Sequence, residues 1–299
     1  MTENPLVSVN ILSYNRKDEL RNTLQKVFEQ DYKNIEVIVV DNASNDGSAE
    51  MVKLEYPDVQ LIQLEKNIGI AGWNEGFKVA KGEYVLVLDD DAYPDEITIK
   101  NAILCARSNE KIGIVVLRIF DKKKNMIINE RYNNEAVLSF IGCGALIHRN
   151  VFRNYLFNEN IFIYEHEVDY SLRVSNSGYI LIYCNNSFIT HSNSVLNRNF
   201  IQSTDHRRVF YTSRNISYIL LSYFSHEKVL FRLIRIFLGR LFLSIPKFCS
   251  LTVIKGFYSG VKLYLSEKNR MNSVSDEIQK RYSYGAFAGG FFGQKGMLK

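Results

Sequence analysis

Two short runs limit what this chain can fold into: Ile35–Val40 (IEVIVV) and Tyr84–Leu88 (YVLVL). Both are almost continuously apolar, so as strands they need cover on both faces, which is the pattern of a parallel sheet between helix layers. Val7–Leu12, Val59–Leu64 and Ile112–Ile119 read as further strands. Lys17–Gln30, Ala71–Ala80 and Pro94–Arg107 read as the intervening helices, the first with Leu20, Leu24, Val27 and Phe28 at helical spacing. This alternation predicts βαβ units: an α/β protein with a mostly parallel sheet flanked by helices.

From 120 to 205 the pattern loosens. Residues 121–125 (DKKKN) read as a polar hairpin tip, 140–149 (FIGCGALIHR) as a glycine-bearing segment, and about Glu167 to Ser175 as a helix ending near Gly178. Beyond 206 the chain is mostly helical, with a Gly/Phe-rich end (285–296) expected to be mobile. The expected organisation is a body over 1–205, with halves of about 1–120 and 121–205, and a helical appendage over 206–299.

Charge divides the chain at the same place. The net +5 of the 299 residues combines −7 over 1–205 with +12 over 206–299, so the two regions are expected to meet different partners. Four scattered cysteines without CxxC spacing argue against a zinc cage or a disulfide framework. The first residues carry no basic segment followed by a long apolar run, so the expected compartment is the cytoplasm.

Ligands of open parallel sheets bind at the carboxyl ends of the strands. Reading just past each strand gives Ser13-Tyr14-Asn15-Arg16, then Asp41-Asn42 within a polar loop to Ser48. Asn67 follows, with Gly72 and Asn74 nearby, and then Asp89-Asp90-Asp91. Three adjacent carboxylates repel one another unless neutralised, and a hard divalent cation carrying phosphate oxygens would do that. The alternative is a solvated turn that caps the next helix. A GxGxxG run after the first strand is absent, which sets aside dinucleotide oxidoreductases. The Gly-rich, Arg-containing loop of sugar-nucleotide pyrophosphorylases is absent too.

The ordered set VSVNILSYNR (7–16), IEVIVVDNASNDGS (35–48), KNIGIAGWNEGFKVAKGEYVLVLDDDAYP (66–94) and FIYEHEVDYSLRVSNSGY (162–179) resembles family 2 glycosyltransferases of the GT-A fold. The likeness is to the rhamnosyl- and galactofuranosyl-transferase kind, and THSNS (190–194) and FYTSRN (210–215) extend it. It implies an inverting, metal-dependent transferase using a UDP- or dTDP-sugar and a glycan or lipid-linked glycan acceptor, in bacterial surface polysaccharide synthesis. Ser13, Tyr14, Asn15, Arg16, Asp41, Asn42, Asn67, Gly72, Asn74, Asp89 and Asp90 would face the donor, Asp41 at the base. Asp89 and Asp91, the outer residues of a DxD motif, would hold Mn²⁺ or Mg²⁺, with His191 as a third ligand or else a hydrogen-bonded loop histidine.

Glu167 falls at the family's catalytic carboxylate, within His166-Glu167-Val168-Asp169 and closed by Arg173. The family run is usually EDxD, so Glu165 and Asp169 are the alternatives for the base. Gly142 and Gly144 would let backbone approach the sugar, or would form a bulge. A catalytically impaired scaffold that binds nucleotide sugar or glycan is the second reading.

In 207–264, Arg232, Arg235 and Arg240 interrupt every apolar run before it reaches spanning length. Such interleaving suits an anionic membrane surface, placing the protein peripherally on the inner face of the plasma membrane. A structural subdomain or a homodimer contact is the alternative. No nucleic-acid motif accompanies the charge, so nucleic acid is not expected as a partner.

Overall fold

The apolar runs become strands where expected. The computed structural model describes residues 4–129, 131, 133–193, 204–267 and 273–283. In it, β1 (Val7–Ser13), β2 (Ile35–Asp41), β3 (Gln60–Gln63) and β4 (Tyr84–Asp89) run parallel in the order β3-β2-β1-β4. Val7 lies opposite both Ile35 and Tyr84, so the strands end level and their following loops share one rim. The crossovers are α1 (Lys17–Phe28), α2 (Ser48–Glu55) and α3 (Gly72–Val79). α2 has no counterpart in the sequence reading, because its polar start continues the Asp41–Ser48 loop and its Leu54 is exposed.

The sheet continues through shorter pieces. β5 (Ala92–Pro94), α4 (Thr98–Ala106), β6 (Ile112–Asp121), β7 (Met126–Ile127), β8 (Ala136–Val137), β9 (Ala145–His148), α5 (Arg149–Phe152), α6 (His166–Asn176) and β10 (Ile180–His191) complete the body. Its full order is β3-β2-β1-β4-β9-β6-β10-β5, with β9 antiparallel to both β4 and β6. The helix expected from Pro94 starts only at Thr98, because Ala92–Pro94 pairs with the end of β10. That pairing sets Ala92 opposite His191 and so draws His191 to the acidic run just before it. The polar 121–125 stretch does turn a hairpin, between β6 and β7.

One face of the sheet packs Val9, Ile11 and Leu86 against Leu20 and Leu24 of α1. The other packs Ile38, Val40, Val85 and Val87 against Trp73 and Phe77 of α3. Each such buried side chain contributes roughly 1.5–3 kcal/mol, against about 0–1 for an exposed ion pair, so the two-sided core and not the charged rim decides the architecture.

Beyond the body stand α7 (His206–Tyr223), α8 (His226–Ser244), α9 (Ser250–Ser266) and α10 (Asp276–Ser283). They share a core with the body: Ile161, Val168 and Leu172 pack with Ile216, Ile219, Tyr223, Ile278 and Tyr282. α9 lies close on α7 along a small-residue seam. A Cβ at Gly260 would stand 2.0 Å from Ser217 Oγ and 2.2 Å from the Arg214 carbonyl, so only glycine fits there. The Gly/Phe-rich end lies outside the described residues.

Candidate active site

The loops after β1 and β2 lock together. Asn15 is left-handed (φ 53°); its N–H donates to Ser44 Oγ at 2.9 Å and its side-chain oxygen accepts from Asn45 N–H at 2.8 Å. The Ser13 carbonyl accepts from Asn42 N–H at 2.8 Å, and the Ser13 side chain is buried. Asp41 is buried and accepts the Ser44 N–H at 3.2 Å, while the Tyr14 ring stands half-exposed beside them. Asn67 accepts the Gly69 N–H at 2.8 Å.

Three expected donor residues are engaged within the protein, two of them with its backbone. Asn42 donates to the Gly69 carbonyl at 3.0 Å and accepts from Ile68 N–H at 2.9 Å. A Cβ at Gly72 would strike Leu12 Cδ1 at 2.4 Å, so this glycine serves packing. Asn74 is the clearest correction: buried, it donates to the Phe157 carbonyl at 2.9 Å and accepts the Phe157 N–H at 2.8 Å. It pins a body loop through both polar atoms of its side chain.

The acidic run divides its work. Asp90 turns inward, accepting from Tyr14 N–H at 3.1 Å and lying 3.4 Å from Arg16 Nη1. Burial pushes its carboxyl up to about 7, although Arg16 and the Tyr14 N–H pull the other way. Asp91 is buried as well, bonded by Arg16 Nη1 at 2.5 Å and Asn193 Nδ2 at 2.8 Å, with His191 Nε2 at 3.3 Å. Asp89 is the more open, 27% exposed, with its Oδ2 4.0 Å from His191 Nε2.

His191 Nδ1 is 2.5 Å from the Asn193 carbonyl, which fixes Nδ1 as the protonated nitrogen and turns Nε2 toward the carboxylates. Asp89, Cys143 and His191 each offer one ligand atom, all within 4.8 Å of one another. The donor set fits a divalent cation. Asp91, the other expected ligand, stands beside this group with Oδ1 3.3 Å from His191 Nε2 and Oδ2 on Arg16 and Asn193. Cys143 escapes the sequence reading because a lone cysteine between two glycines has no ligand spacing.

The second acidic cluster begins at a strained turn. Tyr164 (φ 65°) and Glu165 (φ 61°) are consecutive left-handed residues, a conformation costing ~1–3 kcal/mol each without glycine. Glu167, on the first turn of α6, accepts the Gly142 N–H at 3.2 Å and lies 3.2 Å from His166 Nδ1. Its side chain keeps 13% exposure. A Cβ at Gly142 would stand 2.8 Å from His166 Nε2, so the glycine lets this contact form. Gly144 packs against Ile119 and Ile189 instead. Burial pushes Glu165 up to about 7, moderated by Arg240 at 3.9 Å.

Asp169 corrects the expectation of a second catalytic carboxylate. Wholly buried, it is bonded by Arg173 (2.6 and 3.1 Å), the Tyr223 hydroxyl (2.7 Å) and Asn158 (3.4 Å). It is an anchor between α6 and α7. Residues 142 and 143 join the two clusters, Gly142 touching Glu167 and Cys143 standing with Asp89 and His191. Trp73 also spans them: its indole N–H donates to the Leu88 carbonyl at 3.2 Å and its ring packs 5.9 Å from His166.

A mixed sheet whose parallel strands end at an acidic rim, flanked by helices, is the GT-A architecture. Solved structures share this fold. The Staphylococcus aureus TarS fragment in complex with UDP-GlcNAc superposes with a TM-score of 0.61 at 16% identity, over 92% of this chain and 83% of that one. A Pyrobaculum calidifontis mannosyltransferase in complex with GDP-Man and Mn²⁺ gives 0.57 at 18% identity, over 95% and 80%. The sequence profile described as Glycosyl transferase family 2 matches residues 8–165, more than half the chain, and the protein belongs to that family. An Escherichia coli UDP-Glc:α-D-GlcNAc-diphosphoundecaprenol β-1,3-glucosyltransferase is 38% identical over 101 residues, 33% of this chain and 40% of its own. A Staphylococcus epidermidis poly-β-1,6-N-acetyl-D-glucosamine synthase is 31% identical over 140 residues, 46% and 34%. The chain thus spans well under half the length of these two relatives.

Proposed function

We propose that this protein is a metal-dependent inverting glycosyltransferase that moves a sugar from a nucleoside-diphosphate sugar to a glycan or lipid-linked glycan hydroxyl. The observation that carries the reading is the meeting, through Gly142 and Cys143, of the Asp89–His191 cluster with the Glu167 carboxylate. Glu167 takes the proton of the acceptor hydroxyl as that oxygen attacks the anomeric carbon. The Gly142 N–H holds its Oε1, and His166 Nδ1 lies 3.2 Å from its Oε2. Asp89 and His191, with Cys143 beside them, hold the cation, and an imidazole in the set favours Mn²⁺ over Mg²⁺. When bound, that cation neutralises the departing diphosphate.

Arg16 and the buried Asp90 and Asp91 keep the rim in register, while Asp41 and Tyr14 border the place of the base. The named substrates of the Escherichia coli glucosyltransferase and the TarS fragment support a UDP-linked donor, and the former a diphosphoundecaprenol-linked acceptor, while the mannosyltransferase holds GDP-Man. Turnover of a panel of UDP- and dTDP-sugars, with Mn²⁺ and then with EDTA, is the test. Turnover that EDTA abolishes and Mn²⁺ restores is expected; full activity in EDTA removes the metal from the reading.

We also place the protein on the inner membrane surface through α8 and α9. Among the described residues no helix is long and apolar enough to cross a membrane. Yet α8 exposes Phe231, Ile234, Leu238 and Phe242 along one stripe, and α9 exposes Leu251, Ile254, Tyr258 and Leu265. Phe248, in the turn between them, is 92% exposed. Residues 229–266 carry six Lys/Arg and no Asp/Glu, and the exposed Arg235, Lys255 and Lys262 edge the apolar stripes. Arg240 is no part of this face, since it is buried at Glu165.

Each surface cation contributes roughly 1 kcal/mol on anionic lipid, an attraction that salt screens. Flotation with phosphatidylglycerol vesicles is expected at low salt. It should weaken at high salt and with Arg235, Lys255 and Lys262 all changed to Glu. A wild-type protein that stays unbound at low salt but forms dimers in light scattering would assign the same face to a homodimer.

A further inference from the structure

Helices α7 and α8 converge on the two residues that introduce the candidate base. Tyr164 and Glu165 are both left-handed, and no side-chain cap of α6 holds them there. The support comes from the appendage. Asn215 of α7 donates both amide hydrogens to this turn, one to the Ile163 carbonyl at 2.8 Å and one to the Tyr164 carbonyl at 2.9 Å. Arg208 of α7 lays its guanidinium 4.1 Å from the Tyr164 ring centroid. Arg240 of α8 brings Nη2 to 3.9 Å from Glu165 Oε1. Asn215, Arg208 and Arg240 are buried, at 0%, 9% and 8% exposure, positions where an amide and two guanidinium groups are kept only with partners.

The turn starts the α6 ladder, since the Glu165 carbonyl accepts the Asp169 N–H at 3.1 Å, and Glu167 lies within that first turn. Rotation at residues 164–165 would therefore swing the Glu167 carboxylate off the Gly142 N–H. We infer that Asn215, Arg208 and Arg240 are positioning residues for Glu167, holding the Tyr164–Glu165 turn in the one conformation that aims it at the reacting centre. The inference rests on the reading of Glu167 as the base.

Arg240→Met, Arg240→Lys and Asn215→Ala in the full chain test it, using UDP-Glc and UDP-GlcNAc turnover and Mn²⁺-UDP binding by calorimetry. Arg240→Met is expected to lower kcat about 10-fold or more while the UDP Kd stays within about twofold, and Arg240→Lys should recover most of the loss. Asn215→Ala should show the same split. The charged groups facing Glu165 are Arg240 on α8, Arg208 on α7 and Glu167 on α6. Removing Arg240 takes away a cation that favours ionised Glu165, so Glu165 should take up its proton at higher pH than in the wild type.

The deciding measurement is the double variant. Placed on Glu167→Gln, Arg240→Met should cost no more than about twofold further, because a positioning residue has nothing left to position. A second full loss there, or an unchanged kcat in Arg240→Met, overturns the inference. Should Glu167→Gln itself retain activity, the failure belongs to the choice of base, a result read separately from the Arg240 data.

Discussion

Glu167→Gln is expected to reduce turnover by at least ~10²-fold, about 2.7 kcal/mol in the barrier, with UDP binding unchanged. Glutamine keeps the shape and keeps an oxygen for the Gly142 N–H, so the 3.2 Å contact can persist. What it loses is a carboxylate able to accept a proton from the acceptor. Single-turnover rates beside calorimetric Kd values separate chemistry from binding. Full retention of rate would move the base to Glu165, the remaining little-exposed carboxylate of the turn. Asp169 is no candidate, because Arg173, Tyr223 and Asn158 already occupy it.

The second large effect belongs to Asp89. Asp89→Ala should abolish transfer and remove the Mn²⁺ dependence of UDP binding, while the melting temperature stays near that of the wild type. The reason is its position: Asp89 is the most open of the three carboxylates and lies 4.0 Å from His191 Nε2. Asp91→Ala is a different experiment. It takes a buried partner from Asn193 and His191 and an ion-pair partner from the 42%-exposed Arg16, so it disturbs the packing of the rim as well as its charge. Loss of activity there would mix folding with chemistry. Calorimetry of Asp89→Ala with UDP, with and without Mn²⁺, checks the assignment; unchanged metal-dependent binding would dismiss Asp89 as a ligand.

The parts legible in the sequence are those where one physical demand acts alone. β2 and β4 are readable because burial on both faces leaves the runs almost wholly apolar, Glu36 near the start of β2 excepted. β10 is not, since Asn185-Asn186-Ser187 interrupts it and the pairing with β6 shifts between Cys184 and Phe188. β9 is too short to carry a period and exists by pairing with β4 and β6 on either side. The Asp89-Asp90-Asp91 run announces a charged rim, but its division into one open and two buried carboxylates depends on Arg16 and Asn193 arriving from afar. Asp169 misleads for a local reason: Asp and Arg four apart resemble the end of the catalytic motif, and here they close a salt bridge inside the helix joint. The link from Asn215 and Arg240 to this turn carries no local signal, because only the packing of α7 and α8 brings them to residue 164 or 165.

The joint core of α6 with α7 and α10 has a bearing on how the protein assembles during synthesis. Val168 and Leu172 leave the ribosome long before Ile278 and Tyr282, the residues that cover their cluster. Domains emerge and fold N-terminal first. The pairing among β1, β2, β3 and β4 is complete at Asp89 and can form early, before β9 arrives to pair with β4. The segment bearing Glu167 waits, with Tyr164 and Glu165 free to relax out of their left-handed state until Asn215 and Arg240 have been made. A nascent chain can thus complete its parallel-strand half before Glu167 is held in place, and the helices made after the body are what fix the turn that carries it.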